Sequence, residues 1–149
     1  MVSLRTILAA AVLAVAMLPG GLARAEATLP RVASMNLCTD QLLMLIADPD
    51  QIVSVSILAR DPALSPLHAM AEDLPVNHAR AEEIFVTHPD VVLADVWSNA
   101  GVVAMLRRLG LDVEQLDPGS SLDSIRDRIT AVGRITGHPE RAAQLLADF

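Results

Sequence analysis

The hydrophobic positions change their period several times along the chain, and each change marks an element. Following Pro30, the run RVASMN (Arg31 to Asn36) is β-like. From Cys38 to Ala47, Leu42, Leu43, Leu45 and Ile46 fall at the spacings of a helix packed on a sheet, with Asn36 placed to cap it. Asp48-Pro49-Asp50 stops that helix, and IVSVS (Ile52 to Ser56) is a second short β-branched run. A strand, a helix and a strand in so few residues predict a right-handed crossover between parallel strands.

From Ile57 to Asn77 the chain carries Pro62, Pro66 and Pro75 without a sustained period, which predicts a long surface loop with a single helical turn. Loops of that length are usually functional. Ala81 to Thr87 reads as a short helix, His88-Pro89-Asp90 as a turn, and VVLAD (Val91 to Asp95) as a third strand buried on both faces. Val102, Val103, Leu106 and Leu109 form a helical stripe that Gly110 ends, before a fourth strand from Leu111 to Leu116. Pro118 to Ser121 is a turn and cap. Leu122, Ile125, Ile129, Val132 and Ile135 then mark a long amphipathic helix ending at Gly137, its acidic and basic residues expected on the opposite face. Pro139 opens a last helix with Ala142, Leu145, Leu146 and Phe149 apolar. This helix has no terminator, so either Phe149 docks in a core or the natural chain continues; truncation is the favoured reading. The pattern as a whole is α/β: a Rossmann-like parallel sheet of about four strands with flanking helices.

Residues 1–25 follow a different logic. Arg5, the apolar run Thr6 to Leu18, the break Pro19-Gly20-Gly21 and the small-x-small Ala23-Arg24-Ala25 read as a secretory signal peptide cleaved after Ala25. The run is shorter than the roughly 20 residues a membrane-crossing helix needs. The sequence is 52% hydrophobic with three aromatic residues, Phe85, Trp97 and Phe149, and its 11 basic residues are all Arg. Its net charge is −7, and losing Arg5 and Arg24 leaves 9 Arg against 18 acids, or −9. A disordered chain and a nucleic-acid binder are thereby excluded. Cys38 is the single cysteine, so no disulfide forms within the chain even in an oxidising compartment.

Four pieces in order, PRVASMNLCTDQLLMLIADPDQIVSVS, AEEIFVTHPDVVLAD, LRRLGLDV and SIRDRITAVGRITGHPERAAQLL, resemble the amino-terminal lobe of periplasmic substrate-binding proteins for iron-siderophore, cobalamin and haem ABC importers. The resemblance covers Pro30 to Phe149. It implies two Rossmann-like lobes joined by a long helix, with the ligand between them. On that basis residues 26–138 are one lobe and residues 139–149 the truncated start of the interlobe helix. It further implies a periplasmic location, a small-molecule metal chelate as ligand, an ABC permease as partner, no resident cofactor and no catalysis. With the second lobe missing, this fragment is expected to bind weakly.

Ligands of parallel α/β sheets bind beyond the carboxyl ends of the strands. That rule selects Asn36, Cys38 and Thr39 after strand one, Ser56 to Arg60 after strand two, and Trp97, Ser98 and Asn99 after strand three. Trp97 offers a flat face for a corrin, porphyrin or aromatic chelator, or else plugs the top of the sheet. Asn36 and Thr39 sit where backbone N–H groups favour an anionic group, or serve only as caps. Cys38 is either a reactive thiol or a small buried apolar residue. Arg60 either pairs with a chelate oxygen or is solvated. Glu82 and Glu83 suit a helix N-terminus on their own account. The resemblance implies that Glu82 forms a salt bridge with the permease. His68, His78, His88 and His138 show no metal-ligand spacing, and no nucleophile elbow, phosphate loop or HExxH motif is present. An exported flavodoxin-like enzyme or metal-binding protein on the same topology is the alternative.

Overall fold

A computed structural model describes residues 28–117 and 119–149; the signal peptide expected at residues 1–25 lies outside them. Five parallel strands form one sheet in the order β3-β2-β1-β4-β5. They are β1 (Val32–Ser34), β2 (Ile52–Ser56), β3 (Val76–Asn77), β4 (Val91–Asp95) and β5 (Asp112–Leu116). The helices are α1 (Leu37–Ile46), α2 (His68–Ala71), α3 (Ala81–Phe85), α4 (Ala100–Arg108), α5 (Leu122–Thr136) and α6 (Pro139–Asp148). Among the described residues no helix is long and apolar enough to cross a membrane.

The sheet has five strands where the periodicity predicted about four. The additional one, β3, lies inside the segment read as a loop, pairs Val76 with Val55 and Asn77 with Ser56, and takes the Val55 N–H on the Pro75 carbonyl at 3.0 Å. Two residues carry no period, so only the neighbouring edge identifies them as a strand. The rest of the segment is also ordered, as a 3₁₀ turn at Ile57–Arg60 and as α2.

Alternation along β1 and β4 divides the core into two layers. Val32 and Leu93 pack with Leu43, Ile46, Ile129 and Val132 beneath α1 and α5. Ala33, Val92 and Ala94 pack with Ile84, Val103 and Leu106 beneath α3 and α4. Because β1 lies between β2 and β4, the chain leaves β1 toward one edge of the sheet and returns to the other side for β4. In open parallel sheets such a reversal marks the place of a crevice, here at the carboxyl ends of β1 and β4.

On α5 the expected separation of charge from core fails at one position. Arg128 is 6% exposed, since it falls three residues after Ile125 and four before Val132, on the apolar stripe itself. Gly137, at φ 78°, reverses the chain, and α6 packs back against α5 where Gly133 meets Ala142. His138 and Arg141 fasten the start of α6 to Gln51 and Asp48 at the amino edge of the sheet. Phe149 is exposed and lies 5.9 Å from the Arg126 guanidinium, so its ring does not dock in the core.

Candidate functional site

The crevice rim is built from the loops that leave β1, β4 and β3. Asn36 caps α1, its Oδ1 accepting the Thr39 N–H at 3.1 Å. Cys38 follows on the first turn of α1 and is exposed, which removes the reading of a small buried residue. After β4, the Asp95 carboxylate accepts the Trp97 N–H at 2.9 Å and the Ser98 hydroxyl at 3.1 Å, while the Ser98 Oγ accepts the Asp95 N–H. That closed turn holds Trp97 outward with 79% of its surface exposed, so the ring plugs nothing. Asn99 caps α4 by accepting the N–H groups of Gly101 and Val102 at 2.9 and 3.2 Å.

Two of the expected rim residues are turned inward. Thr39 is fully buried, its hydroxyl on the Asn36 carbonyl at 3.0 Å and against the Ser34 Oγ at 2.7 Å. Ser56 is buried, with its N–H on Asp40 Oδ1 at 3.0 Å and its hydroxyl donating to Asp40 Oδ2. Neither hydroxyl is available to a ligand, because each serves a network beneath the rim. Arg60 is exposed, but its Nε and Nη2 donate to the carbonyls of Ala71 and Leu74 at 3.1 and 2.6 Å, so it braces the segment around α2.

That network, which the sequence reading missed, centres on Asp40. Burial pushes its carboxyl up to about 6, against the lowering effect of the Ser34 and Ser56 hydroxyls and the Ser56 N–H. Beside it, the Asn77 amide donates to the Ser34 carbonyl and the Ser54 hydroxyl, each at 2.9 Å, and stitches β3 to the sheet. The signal in the sequence was the position of Asp40, three residues before Leu43 and seven before Ala47 on the helix's inner face.

Glu82 and Asn99 share a shallow hollow of about 320 Å³ with Arg80 and Met105. Glu83 points elsewhere: it accepts the His78 N–H at 2.6 Å and meets the His78 ring at 3.1 Å. These contacts, the backbone N–H first, hold its carboxyl below the usual range. The histidines are dispersed, and among the described residues no group of three metal-binding side chains converges. A hollow of about 540 Å³ lies at the opposite edge of the sheet between Thr28 and Gln51, away from every strand's carboxyl end.

The family described as periplasmic binding protein matches residues 32–149. A cobalamin-binding protein of Halobacterium salinarum is 25% identical over 119 residues, covering 80% of this chain and 32% of the relative. The solved structure of a possible iron-binding (periplasmic solute-binding) protein from Staphylococcus epidermidis superposes with a TM-score of 0.69 at 20% identity, over 81% of this chain and 48% of that one. A periplasmic haem-binding protein from Pseudomonas aeruginosa gives a TM-score of 0.68 at 21% identity, over 80% and 43%. At such identities the structural likeness carries the fold. The chain spans about half the length of these solved relatives and about a third of the curated one.

Proposed function

The chain belongs to the periplasmic binding protein family, and from that premise we propose that it is the amino-terminal lobe of the substrate-binding component of an ABC importer. It captures an iron-siderophore, cobalamin or haem-type chelate in the periplasm and delivers it to the permease without catalysis. Residues 1–25 direct export, residues 26–138 form the lobe, and the helix from Pro139 begins the link to a second lobe.

The observation that carries this reading is Trp97, held 79% exposed at the carboxyl end of β4, next to the reversal of strand order. An exposed indole on a rigid turn is a stacking platform for a planar macrocycle or aromatic chelator. Ser98 and Asn99 follow it in the chain, and Asn36 and Cys38 stand after the end of the neighbouring strand β1. Glu82 is exposed while its neighbour Glu83 is engaged by His78, which supports Glu82 as the carboxylate that meets a permease arginine.

Capture in a two-lobed protein depends on closure over the ligand. This lobe offers one wall, so binding by the chain alone is weak. Titration of Trp97 emission with haemin, cyanocobalamin and a ferric catecholate tests the reading. A weak saturable quench by one of them is expected, with binding followed by ligand absorbance lost in Trp97→Ala. No response to any of the three, or unchanged binding by Trp97→Ala, refutes it. A tight titration refutes the single-wall argument.

A further inference from the structure

Three buried side-chain atoms lack a hydrogen-bond partner among the described residues: Asn36 Nδ2, Arg128 Nε and Arg128 Nη2. All three are N–H donors. Removing a guanidinium from water without a partner is among the costliest arrangements a fold can hold. The two Arg128 atoms are also the adjacent pair on one edge of the guanidinium plane. That edge matches the two oxygens of a carboxylate in a side-on, bidentate pair.

Arg128 lines a groove of about 320 Å³ between α1 and α5, with Cys38 and Gln41 on one side and Gly119 and Ile125 on the other. The groove therefore reaches the first turn of a ten-residue helix whose cap, Asn36, holds the third unpaired donor. Free N–H groups and the helix dipole favour negative charge at that turn. Gly119, at φ 80°, passes over the guanidinium, and a Cβ built there stands 3.5 Å from Arg128 Nη1. Gly119 thus stands beside Nη1 without a side chain of its own. Asp117 and Asp127 line an adjoining hollow, yet no ion pair joins either of them to Arg128 among the described residues.

We propose that the groove between α1 and α5 is a receptor for one carboxylate-type oxyanion, gripped side-on by Arg128. The site lies on the helical flank beside the crevice; it shares Cys38 with the rim but excludes Trp97, and it does not depend on chelate capture.

The test is titration of the protein with sodium acetate at constant ionic strength, balanced by chloride. It is followed by the ¹⁵N-detected Nε–H signal of Arg128, assigned by its loss in Arg128→Lys, and by thermal melting. A saturable shift of that signal is expected. At about ten times the half-effect concentration the melting midpoint rises by several degrees. The rise in melting point vanishes in Arg128→Met, and both responses persist in Arg108→Gln, which removes an exposed positive charge elsewhere. Three results overturn the proposal: a signal unmoved by acetate, an equal rise in the melting point of Arg128→Met, or a response to inorganic phosphate but not to acetate. A signal insensitive to acetate but moved by Asp117→Asn or Asp127→Asn identifies an internal partner and overturns it equally. If Arg128→Met does not fold, the wild-type titration decides alone.

Discussion

Replacing Asp40 by asparagine keeps the shape of the side chain while removing its charge, and the structure fixes how the consequence depends on pH. The folded-state value is about 6 and the ordinary value 3.8, with burial as the main cause. A raised value means that the folded protein holds its proton more tightly than the unfolded chain. The associated stability is complete below pH 3.8 and is lost as pH rises through 6. The difference between 3.8 and about 6 corresponds to about 3 kcal/mol, of which about 2 kcal/mol falls between about pH 4 and 7. Asparagine still accepts the Ser56 N–H but does not titrate. Ionisation of the other groups is common to both proteins and cancels in the difference. The stability of Asp40→Asn relative to wild type therefore rises by about 2 kcal/mol from pH 4 to pH 7, a relative shift of about 1 M in the urea midpoint. Circular dichroism is the suitable probe, because an indole already 79% exposed reports poorly on unfolding. A difference that is flat in pH, or that falls as pH rises, refutes the argument. It would mean that Ser34, Ser56 and the α1 N-terminus outweigh desolvation.

Further outcomes follow from close contacts and caps. Gly133→Ala places a Cβ 2.3 Å from that of Ala142, so the α5–α6 packing loses about 2 kcal/mol or more despite the better helix propensity of alanine, measured by chemical denaturation. Gly110→Ala meets nothing within 4 Å and only strains a residue at φ 87°, costing about 1 kcal/mol by the same measurement. Asn99→Ala removes the acceptor for two N–H groups of α4, and a loss of about 1 kcal/mol in the same unfolding experiment is expected.

How much of this fold is legible in the sequence depends on whether a residue's role is set locally or by a neighbour. The strand β4 announces itself because it is apolar on both faces, and α1 and α5 because their stripes run for several turns and their caps are ordinary cap residues. Asn36 and Gly137 behave as their types predict. By contrast, β3 exists because β2 presents an unpaired edge and Asn77 reaches the Ser34 carbonyl, and nothing within Val76–Asn77 encodes that. Asp40 and Arg128 mislead for another reason. Each occupies a core position by spacing, but chemistry that normally faces water invites the reader to rotate it outward.

The same distinction explains why a topological rule over-counts the candidate site. Strand carboxyl ends locate the crevice, but the residues there belong to the first turn of a helix, the end of a strand and a tight turn, and only some of them face solvent. Thr39 and Ser56 took inward positions and became supports, whereas Cys38 and Trp97 took outward ones. The supports give the outward residues their precision. Asp95 and Ser98 close the turn that carries Trp97, and the Asp40–Ser56 pair fixes the first turn of α1 against the end of β2. A recognition surface that works by stacking and a few polar contacts needs such anchoring, because each ordered side chain must keep its pose before the ligand arrives. The polar residues of this rim thus divide into those open to solvent, which we propose meet a ligand, and those that hold them in place, and burial separates the two where residue type does not.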